Sequence, residues 1–86
     1  MSVTMPVKEY LYLKNLFPFL DSYIINIAYA KEFVTLDFLY TKKEIFKIEY
    51  NALIVRVGLE GKETYNETGY HLIDIYDSYF HDAMDS

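Results

Sequence analysis

The chain lacks cysteine and tryptophan, and its 86 residues include only three glycines and two prolines. The absence of cysteine excludes a disulfide framework, a thiolate zinc site and a cysteine nucleophile. Secreted domains of this size usually rely on disulfides, so we expect a reducing, cytoplasmic setting. The N-terminus has no basic region followed by an apolar run, and we therefore expect no signal peptide.

Long apolar runs and clusters of basic residues are also missing. Charged residues or asparagine interrupt every apolar segment, so we expect no membrane-spanning helix. The net charge is −5, from 13 acidic and 8 basic residues, and Lys42 and Lys43 form the only adjacent basic pair. This balance repels a phosphate backbone, and direct binding of nucleic acid is not expected. It suits a protein partner that carries a basic surface.

Apolar and aromatic residues, by contrast, are plentiful. Hydrophobic residues make up 52% of the chain and aromatic residues 19%, with ten tyrosines and six phenylalanines. A disordered chain lacks this apolar content, so we expect a folded protein. A chain of this length predicts a single domain over residues 1–86.

Helices are predicted at both ends of the chain. Apolar residues with helical spacing from Val7 to Leu20 predict the first helix, with a break or kink at Pro18. From Tyr70 to Met84 the apolar and polar residues separate onto two sides, which predicts an amphipathic last helix. Asn66 or Thr68 is the candidate cap for its first turn.

Between these helices the apolar pattern changes to a period of two, which is typical of half-buried strands. The predicted strands are Tyr23–Tyr29, Val34–Tyr40, Phe46–Tyr50 and Leu53–Leu59. Hairpin pairing then places every alternating apolar residue on one face of a sheet. The predicted pairs include Tyr29 with Val34, Ile27 with Leu36, Ile25 with Phe38, Phe38 with Ile48, and Ile48 with Val55. The predicted fold is α+β in two layers: a four-stranded antiparallel meander covered on one face by the N-terminal and C-terminal helices, in the order α-β-β-β-β-α. Residues 59–69 are predicted to form a loop.

The last helix supplies the first candidate site. Acidic residues project from its outer side at steps of three and four, and two tyrosines lie beside its start. The candidate partner-binding residues are Tyr65, Tyr70, Asp74, Asp77, His81 and Asp85. Asp82 and Asp85 lie in the last predicted turn, where the helix dipole disfavours anions, and this indicates a role beyond solubility. Asp and His at this spacing also leave a metal site at Asp77, His81 and Asp85 as an alternative.

The outer face of the predicted sheet supplies an alternative surface, formed by Asp37, Leu39, Lys47, Glu49, Ile54 and Arg56. In the predicted register its four charged residues form a neutral quartet. Its apolar members would make part of it an interaction surface. General acid–base catalysis needs a pocket that separates the pKa values of two carboxyl groups, and an open sheet face does not supply one.

These observations predict a small, acidic, non-catalytic protein-binding module with no cofactor, acting as an inhibitor or adaptor on a basic partner. Phage-encoded inhibitors of host or defence proteins and immunity-type proteins are analogous in type. The first alternative is a structural or regulatory homodimer, formed through the outer sheet face or through an edge strand, Tyr23–Tyr29 or Leu53–Leu59. The second alternative is a small metal-binding protein or enzyme.

Overall fold

The structure is a computed structural model in which residues 1–61 and 64–85 are described. Over these residues the predicted α+β class is confirmed, but the order of the elements differs from the prediction. The strands and α-helices are β1 Ser2–Pro6, α1 Val7–Leu16, β2 Ile24–Ala30, β3 Phe33–Phe38, α2 Lys43–Val57, β4 Leu59–Glu60, β5 Thr64–Tyr65, α3 Glu67–Ile75 and α4 His81–Met84. A π-helical turn, Tyr76–Phe80, joins α3 to α4.

The first strand, β1, is absent from the sequence prediction. It pairs with β3, so that β3 lies in the middle of a sheet whose order, among the described residues, is β1-β3-β2. Val3 and Met5 of β1 are buried beside the inward residues of β3. On the opposite face the hydroxyls of Thr4 and Thr35 lie 2.9 Å apart. The alternation of apolar and polar residues in β1 is the ordinary signature of a strand with one covered face.

The predicted first helix is confirmed as α1, and most of the apolar residues predicted to share one of its sides are buried. Tyr10 and Leu13 are buried, and the next two residues at this spacing, Phe17 and Leu20, are buried beyond the end of the helix. The helix ends at Leu16, as expected two residues before a proline.

The hairpin of β2 and β3 confirms two predicted pairs and corrects a third. Tyr29 pairs with Val34, and Ile27 pairs with Leu36. Phe38 pairs with Ile24 rather than with Ile25, because the register shifts between Ile24 and Asn26. Such an irregularity inserts an extra residue into one strand and turns its side chain out of the sheet, which leaves Ile25 exposed.

The third and fourth predicted strands are wrong, because residues 43–57 form the single helix α2. Along this segment Phe46, Tyr50 and Leu53 are buried, whereas Ile48 is 66% exposed. Burial at steps of four and three is the period of a helix, whereas the strand prediction required Ile48 to be buried with Phe46. The meander, and the register that paired Ile48 with Phe38 and Val55, are therefore corrected.

Because residues 43–57 form a helix, the six residues of the predicted alternative surface do not lie together on one face. Asp37 lies on β3, where its carboxylate is 3.3 Å from the N-terminal ammonium group. Lys47, Glu49 and Arg56 lie on α2, and Ile54 is buried. Leu39 follows β3 and is half-buried. Residues that share one face of a sheet at period two cannot share one face of a helix, so the predicted quartet does not form.

The predicted C-terminal helix is confirmed as a helical run from α3 through the π turn to α4. The Asn66 side chain caps it by accepting a hydrogen bond of 2.8 Å from the backbone N–H of Gly69. Leu72, Ile75 and Phe80 are buried along its inner side. The predicted loop before it contains the short hairpin of β4 and β5, and two of its residues, Lys62 and Glu63, lie outside the described residues.

The core lies between the inner face of the sheet and the helices, and the ring of Phe46 is at its centre. Its ring centroid lies 5.1–6.1 Å from those of other aromatic residues of the core. These neighbours are Phe17, Tyr23, Phe38, Tyr50 and Phe80. They come from the segment between α1 and β2, from the sheet, from α2 itself and from the π turn, so Phe46 joins the separate layers of the molecule.

Replacing Phe46 with alanine should lower the free energy of unfolding by about 3–5 kcal/mol, since a large cavity would open among these rings. The Ile48→Ala change, on the exposed side of the same helix, should cost less than about 0.5 kcal/mol. Chemical denaturation of both variants measures the difference. A large loss at Ile48 together with a small loss at Phe46 would show that residues 43–57 are strands after all.

Two glycines set the distance between α2 and α3. A β-carbon on Gly69 would overlap the carbonyl oxygen of Gly58, and a β-carbon on Gly58 would lie 2.7 Å from the α-carbon of Gly69. The carbonyl of Gly58 also accepts a hydrogen bond of 2.9 Å from the backbone N–H of Asn66. These two backbones pack directly against each other, and this contact fixes how α3 leaves the end of α2.

The Gly69→Ala variant should therefore be destabilised by about 1–3 kcal/mol, because the added methyl group forces the two backbones apart. The sign of the effect is informative. In an ordinary helix, glycine to alanine stabilises the protein by about 1 kcal/mol. Thermal or chemical unfolding of the variant measures the change, and a gain in stability would contradict the close approach.

Candidate protein-binding surface

The outer side of α3 and of the π turn that follows it carries an exposed surface of aromatic and acidic side chains. Tyr70, Asp74 and Asp77 are all exposed and follow one another at steps of four and three. Tyr65, from β5, is also exposed, and its ring centroid lies 5.7 Å from that of Tyr70 in an edge-to-face arrangement. Four of the predicted partner-binding residues thus lie along one surface, which we call the α3 face: Tyr65, Tyr70, Asp74 and Asp77.

The charge of the α3 face is uncompensated within residues 1–61 and 64–85. Over these residues neither Asp74 nor Asp77 has a cationic group within ion-pair distance. Glu67, also exposed, adds a further carboxylate in the first turn of α3. Exposed charges of one sign raise the local potential and attract groups of the opposite sign.

Asp85 belongs to a different environment from Asp74 and Asp77. Its carboxylate is 2.9 Å from Nζ of Lys47 on α2 and accepts a hydrogen bond of 3.2 Å from the Tyr76 hydroxyl. The Lys47 hydrogen bond lowers the pKa of Asp85, and the bond to Asp85 in turn raises the pKa of Lys47. Asp85 therefore links the end of the chain to α2, and this link offsets the unfavourable position of an anion after a helix.

The π turn explains why the predicted stripe divides. A π turn uses more residues per turn than an α-helix, so the residues after it are rotated relative to those before it. Asp74 and Asp77 stay on the outer side, whereas Asp85 turns towards α2. His81 is exposed, with Nδ1 3.5 Å from Asp82 and Nε2 3.7 Å from Asp85. His81 thus lies beyond the α3 face, beside the linked carboxylate.

A cleft of about 280 Å³ separates α2 from the C-terminal helix and borders the α3 face at Asp77. The hydroxyl of Tyr50, which also lines it, donates a buried hydrogen bond of 2.6 Å to the Leu72 carbonyl. Burial raises the pKa of Tyr50 well above its ordinary range and that of Tyr76 to about 12. Both phenols are therefore neutral at physiological pH, and the cleft offers hydrogen-bonding and apolar groups beside the Lys47–Asp85 pair.

One polar cluster was missed by sequence reasoning. Nε2 of His71 lies 2.7 Å from the Glu9 carboxylate, and the ring of Tyr12 stacks on the imidazole at a centroid distance of 4.1 Å. Tyr12 is half-buried in this contact. The cluster ties α1 to α3. Because Glu9 and His71 are 62 positions apart in the chain, no local pattern indicates their contact.

Asp77, His81 and Asp85 are not gathered around a common point. Among residues 1–61 and 64–85, no group of three His, Asp or Glu side chains is arranged so that it could hold a metal ion. A search of the same part of the chain finds no helix that is long and apolar enough to cross a membrane. No family model, curated protein or solved structure matches this chain, so inference about its function rests on its own surfaces.

The Lys47–Asp85 pair predicts a pH-dependent contribution to stability. Because the pKa of Asp85 is lowered in the folded protein, this contribution is present above the ordinary carboxyl pKa of about 4 and is lost as the pH falls through the lowered value. The Asp85→Asn variant should therefore melt at a lower temperature than the wild type at neutral pH, and the two melting temperatures should converge near pH 2 or below. A difference that is constant over this pH range would contradict the ion pair.

Proposed function

We propose that this protein is a non-catalytic protein-binding module, an inhibitor or adaptor whose α3 face binds a basic surface of another protein. The observation that carries the proposal is that Tyr65 and Tyr70 stand exposed beside Asp74 and Asp77, whose charges are uncompensated among the described residues. Aromatic side chains supply contact area at little entropic cost, and unpaired charges supply attraction over a distance.

The two kinds of residue would act at different stages of binding. The carboxylates of Asp74 and Asp77 would speed the encounter with a basic partner, and this effect weakens as salt screens the charges. Tyr65 and Tyr70 would then be buried and slow dissociation, as aromatic anchors do in many interfaces. Charge at one end of the surface and aromatic area at the other give the partner a defined orientation.

The support behind the α3 face suits such a role. Asn66 caps the helix, and the His71–Glu9 contact ties it to α1. Gly69, the residue before Tyr70, packs on Gly58. A surface held in this way loses little further freedom when it binds, which favours affinity. The small size, acidity and lack of cysteine continue to support a cytoplasmic protein of the inhibitor or immunity type.

The proposal is tested by reversing the charge of the α3 face. The double variant Asp74→Lys/Asp77→Lys should remain folded, because both side chains are exposed. Used as bait beside the wild type in extracts of the source cell, it should recover much less of the partner. With the partner identified and purified, stopped-flow kinetics should show association slowed by about tenfold or more at low salt, with a reduced dependence on salt concentration.

A matched control is Glu32→Lys/Glu60→Lys, which raises the net charge by the same four units, from −5 to −1, at two exposed positions away from Asp74 and Asp77. Apart from the general effect of the changed net charge, its association rate with the partner should stay within about twofold of that of the wild type. Equal losses in both double variants would indicate that net charge alone governs binding. An unchanged affinity in the Asp74→Lys/Asp77→Lys variant would exclude the α3 face as the binding surface.

A further inference from the structure

Helix α2 has apolar residues on two opposite sides, and the core uses only one of them. The outer side carries Ile45, Ile48, Ala52 and Val55, all exposed, which we call the α2 stripe. The exposed fractions of its three large residues are 54%, 66% and 62% in chain order. A surface helix usually presents polar residues on the side away from the core. The α2 stripe therefore calls for an explanation that single exposed apolar residues would not need.

The spacing of the α2 stripe is that of a helix–helix seam. Its residues follow one another at steps of three, four and three, which is the a and d pattern of paired helices. At about 100° per residue, the stripe lies directly opposite the buried side formed by Phe46, Tyr50 and Leu53. It runs for about 15 Å along the helix, given a rise of about 1.5 Å per residue.

We infer that the α2 stripe binds the α2 stripe of a second copy of this chain, with the two helices antiparallel. A two-fold axis at the middle of the stripe would pair Ile45 of each copy with Val55 of the other, and Ile48 with Ala52. The apolar residues at one end of the stripe thus match those at the other end. Pairing identical helices in this way closes the assembly as a dimer, because the same patch is used on both sides.

The charges beside the α2 stripe favour a second copy in this orientation. Glu49 and Arg56 lie on the same flank of the helix, and within the described part of the chain neither is in an ion pair. In the antiparallel arrangement, Glu49 of one copy faces Arg56 of the other, and the pair occurs twice. A parallel arrangement would instead bring Glu44 of one copy towards Glu49 of the other, and like charges repel.

The protein surface next to this flank of α2 also carries apolar residues. Glu49 and Arg56 border a shallow cleft of about 340 Å³ that is also lined by Phe17, Pro18 and Phe19. The ring of Phe19 is 76% exposed there. Side chains from the flank of a second α2 would cover it. The interface is nevertheless small, so we expect a reversible dimer with a dissociation constant on the order of 1–100 μM.

This inference is independent of the proposed function. The α2 stripe and the α3 face are carried by different helices and share no residue. The Asp74→Lys/Asp77→Lys variant should self-associate with little change. A negative result for self-association through the α2 stripe therefore says nothing against partner binding by the α3 face, and the reverse also holds.

The test exploits the two-fold symmetry of the charges. Sedimentation velocity of the wild type over about 1 μM to 1 mM should show a monomer that converts to a dimer with rising concentration. Glu49→Arg and Arg56→Glu should each weaken the dimer by about tenfold or more, because each places two pairs of like charges in the interface. An equimolar mixture of the two variants should recover a dimer that contains one chain of each, since both pairs are then opposite in sign.

Two variants, one in the α2 stripe and one on an edge strand of the sheet, locate the contact. Ile48→Glu, at the centre of the α2 stripe, should abolish the dimer while the circular dichroism spectrum stays that of the wild type. Ile25→Glu is the matched control, because Ile25 is exposed to a similar degree but lies on β2, an edge strand of the sheet that the described residues form, which could also pair with a second copy. Its dimer should form as in the wild type.

Three results would overturn the inference. A wild type that stays monomeric up to about 1 mM would leave the α2 stripe without a second copy as its partner. Loss of the dimer in Ile25→Glu, but not in Ile48→Glu, would place the contact at the edge of β2. Failure of the Glu49→Arg and Arg56→Glu mixture to associate would rule out the antiparallel pairing of α2.

Discussion

The side chain of Phe46 holds the layers of this molecule together, because its ring contacts aromatic rings from every layer around it. Phe38 approaches from the sheet, Phe80 from the C-terminal helical run and Phe17 from the segment after α1. A small domain buries a limited share of its surface, and large aromatic side chains compensate by burying a large area each. The placement of α2 on the sheet depends on this cluster, and the other helices pack around it.

Helices α2 and α3 present the exposed surfaces on which the functional argument depends. The contact between Gly58 and Gly69 sets their junction, and the Lys47–Asp85 pair closes the far end of the cleft between them. Each helix buries one side and leaves the other to solvent. The outer side of α3 is acidic and aromatic, whereas that of α2 is apolar with a balanced charge on one flank. The two surfaces therefore differ in chemistry, and each would suit the partner proposed for it.

The reasons that sequence reasoning succeeded in some segments and failed in others are physical. The hairpin of β2 and β3 and the C-terminal helix each have one apolar side, so their periods indicate their structures. In α2 the residues Phe46, Ile48 and Tyr50 alternate with charged ones, because apolar residues occupy two opposite sides of the helix. Opposite sides of a helix, sampled over a few residues, imitate the period of two of a strand. The pattern shows which residues are apolar but not that Ile48 faces solvent.

What this sequence determines alone is what depends on composition and on neighbours in the chain: a folded α+β protein with an acidic charge, a capped amphipathic last helix, and Tyr70, Asp74 and Asp77 along one side of it. Only the tertiary structure decides what depends on residues far apart in the chain. The pairing of β1 with β3, the capture of Asp85 by Lys47 and the contact of His71 with Glu9 are of this kind. Local patterns record the preferences of a segment for water or for the core, whereas these contacts arise from packing between segments, which overrides local preference wherever a helix has two apolar sides.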